Sequence, residues 1–250
     1  MSGPAFLLLH GAWAGRWVWD AVTPLLSAAG HCVVAPDLPG AAPWAAGDGI
    51  TVEDMVDHAL AALAGSAGPW IVVGHSGGGI VATMVAERLV ARQPGSALAL
   101  VYLAGMMLPS GMGFPAACTL AGAPPPQGIE PFLEPTVDGM GTWVPPAAAE
   151  RIFFQCASPA DARAAAARLN PQINSSWMIA PHWTDDRAGT VPRLYIEALQ
   201  DRSVPIGVQR TMQRLVPGAR IETIDTDHAP QLSCADRVAS IFLDLASGHL

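Results

Sequence analysis

The sequence predicts a doubly wound α/β domain, a mostly parallel sheet with helices on both faces, interrupted by one inserted helical cap. Three observations carry that expectation. Short apolar runs of the kind that form strands buried on both faces recur along the chain. Helical stretches separate most of them, and the alternation breaks once, over 108–189, where Pro and Gly clusters take over. The 250 residues fit one sizeable core, and 51% hydrophobic against 14% charged residues is the composition of a compact domain.

The strand runs are Ala5 to Leu9, Cys32 to Ala35, Trp70 to Val73, Leu98 to Leu103, Leu194 to Ala198 and Arg220 to Ile224. A first helix is expected over Trp17 to Ala28. A second is capped by Thr51 with Asp54 three residues on, its apolar face running Met55, Leu60, Leu63. Further helices fit Gly78 to Ala91 and Asp236 to Ala246. The core is therefore expected over 1–107 and 190–250, with the cap between. The cap contains a helical patch, Ala160 to Leu169, and six aromatics: Phe132, Trp143, Phe153, Phe154, Trp177 and Trp183. Together these suit a lid over an apolar pocket, although for any one of them ordinary packing is an adequate explanation.

A net charge of -8 offers no basic field, which argues against nucleic acid and anionic membrane as partners. The four cysteines form no C-x-x-C pair, so buried free thiols are expected rather than a zinc site or a disulfide framework. The apolar run Phe6 to Leu9 is too short for a leader or a membrane span, and a cytoplasmic protein is the expectation. A homodimer is compatible with this composition.

Trp70-Ile-Val-Val73 runs straight into Gly74-His-Ser-Gly-Gly78, and helix follows. This is G-x-S-x-G in a strand, tight turn, helix setting, where small neighbours let the serine stand clear above the sheet. Ser76 is the candidate nucleophile. The same glycines imitate a dinucleotide fingerprint, but the next strand ends in Ala104-Gly105-Met106 and supplies no acid for a ribose.

A serine needs a base, and His228 follows the Arg220 to Ile224 strand on a loop that reaches the carboxyl ends of the sheet. His31, His58, His182 and His249 sit where solvated or structural roles suit them, and His75 is expected to point away from Ser76. Asp201, just past Leu194 to Ala198, is the candidate acid; Asp225 and Asp227 share the histidine's loop and suit loop capping. Oxyanion donors are expected from the N–H of Gly77 and, at the first strand's end, the N–H of Ala12, with Gly11 allowing close approach.

His10-Gly-Ala-Trp-Ala-Gly-Arg-Trp-Val-Trp19, Pro36-Asp-Leu-Pro-Gly40, the Ser76 turn, Gln200-Asp-Arg-Ser-Val-Pro205 and Asp227-His228 together resemble the esterase and hydroxynitrile lyase branch of the α/β-hydrolases. The resemblance spans nearly the whole chain and is loosest in the cap. Salicylate-binding methylesterases of plants and related bacterial esterases carry the same H-G-A start. The lyases as a family place threonine where Gly11 stands and lysine where Ala229 stands, so hydrolysis is favoured over cyanohydrin cleavage. The resemblance implies a Ser76, His228, Asp201 hydrolase acting on a small to medium, mostly apolar ester, with no metal or organic cofactor. A cofactor-free C–C lyase and a hydrolase-like small-molecule receptor are the rival expectations. Gly11, Trp13, Met106, Met107, Trp143, Phe153 and Phe154 are the expected pocket residues. Gly77 stands where many relatives have a bulkier side chain and is expected to widen the acyl side.

Overall fold

The computed structural model describes residues 3–41, 49–176 and 179–248. The first strand, β1 (Ala5–Leu9), is buried at every residue, as an apolar run without alternation requires. The helix expected over Trp17 to Ala28 is split into a 3-10 turn at Arg16–Trp19 and α1 (Thr23–Ala28). Pro24 is the reason: it has no N–H to give to the preceding turn, so it opens a helix rather than continuing one. β2 (Val33–Val34) is shorter than expected. α2 (Val52–Ala61) carries the expected cap, with Thr51 Oγ1 accepting from the Asp54 N–H at 3.2 Å and the Asp54 carboxylate accepting from the Thr51 N–H at 2.9 Å. β3 (Trp70–His75), α3 (Gly78–Arg92) and β4 (Ala97–Leu103) follow.

The stretch between β4 and the next core strand contains α4 (Phe114–Leu120), β5 (Glu134–Pro135), β6 (Gly141–Trp143), α5 (Pro146–Ile152), α6 (Pro159–Ala166) and β7 (Gln172–Ile173). Helices alone were expected, yet β5, β6 and β7 form a three-stranded antiparallel sheet. Strands of two or three residues are too short to leave a periodic signal. The core resumes with β8 (Arg193–Ala198), α7 (Ile206–Leu215), β9 (Arg220–Ile224), α8 (Pro230–Ser233) and α9 (Ala235–Ala246).

The main sheet runs β2-β1-β3-β4-β8-β9 with every neighbouring pair parallel. Alternate residues serve opposite layers. Leu7, Leu9, Val72, Tyr102 and Tyr195 pack with α2, α3 and α7, while Phe6, Leu8, Ile71, Val101 and Ile196 pack with Trp19, Leu26 and Phe242 on the other face. Each such fully buried side chain contributes about 1.5–3 kcal/mol of transfer free energy. From β1 the chain moves outward to β2 and then returns to the far side of β1 as β3. The connections therefore part at the carboxyl ends of β1 and β3, which opens a crevice there. His10 and Ser76, each the first residue past its strand, stand at that crevice.

The four cysteines are free; Cys118 is buried as expected, whereas Cys32 and Cys156 are exposed. The chain's return to β8 is fastened to α3 by Glu87. Its buried carboxylate accepts from the Thr184 hydroxyl at 2.9 Å, the Thr184 N–H at 3.2 Å and the Ala188 N–H at 3.0 Å. Glu87→Ala strands those donors and is expected to lower stability by about 2 kcal/mol. Urea unfolding should then show a lower midpoint with an unchanged slope.

Candidate active site

Ser76 adopts φ +52, in the left-handed region that a residue with a side chain rarely occupies. The turn is held at both ends: the Ser76 N–H donates to Leu103 O at 3.3 Å, and Ser76 O accepts from Gly79 N at 3.0 Å and Met106 N at 2.8 Å. A Cβ at position 74 would lie 2.5 Å from Gly78 O, and one at position 78 would lie 2.6 Å from His10 O and Leu9 O. Both glycines are thus sterically required. Among the described residues the other non-glycine positive φ values are Trp13 (+58) and Ala104 (+44), which flank Ser76 on the β1 and β4 sides. Each costs of order 1–3 kcal/mol, and their concentration at one crevice marks it as a functional site.

The structure brings His228 and Asp201 together. Asp201 Oδ2 lies 2.8 Å from His228 Nδ1, and both side chains are buried. Asp201 Oδ1 accepts from the N–H groups of Ser203 at 2.7 Å and Val204 at 2.8 Å, which leaves Oδ2 aimed at the imidazole. Gln209, fully buried on α7, braces the same loop by donating to Val204 O at 2.8 Å and Ala198 O at 3.1 Å. Nothing in the sequence pattern marked it. Asp225 and Asp227 do cap: Asp225 accepts from the Gln200 amide at 3.0 Å, and Asp227 accepts from Ala229 N at 3.2 Å, the Ser233 hydroxyl at 2.8 Å and Cys156 N at 2.7 Å. Burial raises the Asp227 pKa.

His75, expected to point away from the nucleophile, is turned to the loop of the candidate base. Its Nε2–H donates to His228 O at 2.7 Å and supports the loop of the candidate base from below. Burial first, and the neighbouring His228 second, lower its pKa to about 3, so it stays neutral.

The loop after β1 is built as tightly. His10 Nε2 accepts the Leu38 N–H at 2.8 Å, so the proton is on Nδ1, which donates to Gly11 O at 2.8 Å. Burial lowers the His10 pKa and preserves that tautomer. A Cβ on Gly11 would stand 2.8 Å from Ser76 Cβ, so a threonine there would displace the serine. A Cβ at position 77 would meet the Ala12 nitrogen at 3.9 Å, an ordinary contact, so Gly77 and Ala12 are neighbours at the crevice. From the inserted stretch, Gln172 Oε1 accepts from Trp13 N at 3.0 Å, Asn170 N donates to Trp13 O at 2.7 Å, and Thr142 Oγ1 accepts from the Trp13 indole at 3.1 Å.

Two chambers meet at Ser76. The larger encloses about 750 Å³ of atom-free space, open mouth included, and Gly11, Ala12, Trp13, Gly77 and Met106 are among the residues that line it. The smaller, about 400 Å³, is walled by Phe153, Phe154, His228 and Gln231. Two expected pocket residues fall outside both. Met107 is fully buried in the core, because the chain past β4 turns Met106 toward the chamber and Met107 away from it. Trp143 is half-buried on β6, where strand alternation gives Thr142 the side facing Trp13 and Trp143 the opposite one. Phe132 lies under the Arg151 guanidinium and Trp183 donates its indole N–H to Leu108 O, while Trp177 and His249 lie outside the described residues.

An unfolded histidine takes up a proton below about 6.5, whereas folded His75 stays neutral down to about 3. Stability is therefore full above that window and is lost as pH falls through it, by up to about 1.4 kcal/mol per pH unit. In His75→Gln, urea titrations between pH 4 and 6 are expected to show about one proton less taken up on unfolding. Gln172→Leu removes the acceptor that holds Trp13, and kcat for ester hydrolysis is expected to fall about tenfold or more, with KM changing less.

The model of the alpha/beta hydrolase family matches residues 6–241. Across 98% of its length the chain is 33% identical to a pyrethroid hydrolase of Sphingobium wenxiniae, covering 89% of that protein. It is 30% identical to Esterase PIR7B of Oryza sativa, with 98% and 96% of the two chains covered. A crystal structure of a pyrethroid hydrolase from Sphingobium faniae superposes with a TM-score of 0.85 at 28% identity, covering 98% of this chain and 97% of that one. With this match along nearly its full length, and a parallel sheet that places Ser76 at its switch point, the chain belongs to the α/β-hydrolase family.

Proposed function

We propose that this carboxylic ester hydrolase cleaves a small to medium, mostly apolar ester through a serine acyl-enzyme, with Ser76 as nucleophile, His228 as general base and Asp201 as the acid that orients it. His228 Nε2 takes the Ser76 hydroxyl proton as Oγ attacks the carbonyl carbon. It then passes that proton to the departing alkoxide, and water reverses the sequence to free the acid. Asp201 fixes the tautomer by accepting from Nδ1–H. The N–H groups of Ala12 and Gly77 receive the developing oxyanion, and each such donor is worth about 2.7–4 kcal/mol in a transition state.

The reading is carried by the buried 2.8 Å contact between Asp201 and a histidine, His228, that lines the same chamber as Ser76. The crowding at Gly11 and the alanine at position 229 both speak against cyanohydrin cleavage: the first leaves no room for a threonine and the second supplies no fixed charge for a leaving cyanide. Two chambers meeting at one serine suit an ester with an arm on each side, and the likeness to pyrethroid hydrolases makes a pyrethroid ester a sensible bulky probe.

A p-nitrophenyl ester series from acetate to decanoate, run with wild type and Ser76→Ala, tests the proposal. Turnover by wild type is expected to drop by at least about 10⁴ in the variant. Turnover that survives the substitution, or folded wild type inert on every ester, refutes it.

A further inference from the structure

The larger chamber is apolar over most of its wall, but one side carries a carboxylate and an amide whose bonding capacity the fold uses only in part. Residues 127–130 form a turn whose Gly128, at φ +58, lies against the Ser203 carbonyl just past Asp201. The turn thereby brings Gln127, Ile129 and Glu130 to the chamber wall. Gln127 uses its amide Nε2 to donate to Cys118 Sγ at 2.7 Å, which leaves its buried carbonyl oxygen Oε1 without a partner among the described residues. Glu130, half-buried, accepts among the described residues only from the Gln127 N–H, at 3.1 Å.

No cation pairs with this carboxylate among the described residues. Among the described residues no arginine lines either chamber, and the sequence contains no lysine at all. The Arg151 guanidinium lies over the Phe132 ring, 4.5 Å from its centroid. The Cys118 thiol beside Gln127 is pushed up to about 12, by burial first and by the charge of Glu130 second, so it adds no competing charge. Glu130 thus lines the chamber with no cation paired to it among the described residues, and the Gln127 oxygen, covered in the same turn, is a further acceptor without a donor. A carboxylate at an apolar wall attracts a cation more strongly than one in bulk water does, because the local dielectric is lower.

We infer that Glu130, with Gln127 Oε1 beside it, selects esters that carry a cationic or strongly hydrogen-donating group, such as a substituted ammonium, at the end of an otherwise apolar arm. The inference rests on the ester-hydrolase reading above and narrows its substrate class. Glu130 acts as a specificity residue and takes no part in bond making.

The test uses p-nitrophenyl esters of straight-chain acids that end either in a trimethylammonium group or in its tert-butyl isostere, with two to five intervening carbons. At the best-fitting length wild type is expected to favour the cationic ester at least tenfold in kcat/KM. Glu130→Gln should reduce that ratio to about twofold or less, and Gln127→Leu should reduce it by a smaller factor. Raising the salt from 20 mM to 1 M should compress the wild-type ratio without any variant, because a half-exposed carboxylate is screened. Preference for the neutral isostere at every length, or a ratio that neither Glu130→Gln nor salt changes, overturns the inference and leaves the esterase intact. If no ester in the series is hydrolysed, the esterase reading fails. Calorimetric binding of the same pairs to Ser76→Ala then decides the charge preference by itself, tighter cation binding supporting it and equal or weaker binding overturning it.

Discussion

The structure depends on how closely three backbone segments approach around Ser76. Gly74, Gly78 and Gly11 each leave a space that a single methyl group would close, and the atoms that would be struck are mostly main-chain atoms of the neighbouring segments. Backbone cannot swing aside as a side-chain tip can, so the end of β1, the β3 turn and the start of α3 have one arrangement available. That contact forces Ser76 into its left-handed conformation. The strain persists because the hydrogen bonds to Leu103, Gly79 and Met106 over-determine it.

How much of this was legible in the sequence depended on the range of the interaction. The core strands were legible because a strand covered on both faces is an apolar run, and the Thr51 cap because its partners are three residues apart. Ser76, His228 and Asp201 were legible because each follows a strand in a known chain order. The supports were not. Gln209, Gln172 and His75 act through hydrogen bonds to backbone across 5 to 159 positions, and a glutamine leaves no trace of which carbonyl it will meet. Met106 and Met107 could not be told apart, because which of them faces the chamber is set by the left-handed Ala104 just before them. The small antiparallel sheet was missed because two-residue strands carry no period.

Supports come from both parts of the chain. Gln209 and His75 brace the Asp201 and His228 loops from within the core, and the inserted stretch adds contacts of its own. Thr142, Asn170 and Gln172 hold the Trp13 loop from one side, while Cys156 reaches the loop of His228 from the other. Phe153 and Phe154 cover His228, with Phe153 ring to imidazole 5.3 Å between centroids. Excluding water from that imidazole strengthens its bond to Asp201.

Asp227 gives this arrangement a mechanical side. One buried carboxylate holds the Cys156 amide of the insertion with one oxygen, and the Ala229 amide and Ser233 hydroxyl of the histidine's own segment with the other. The insertion therefore cannot lift from the sheet at Cys156 without giving up a bond to a buried anion or dragging His228 along. Asp227 thus ties the inserted stretch and the segment of the proposed base into one hydrogen-bonded unit, so a displacement at Cys156 is passed on to the residue next to His228.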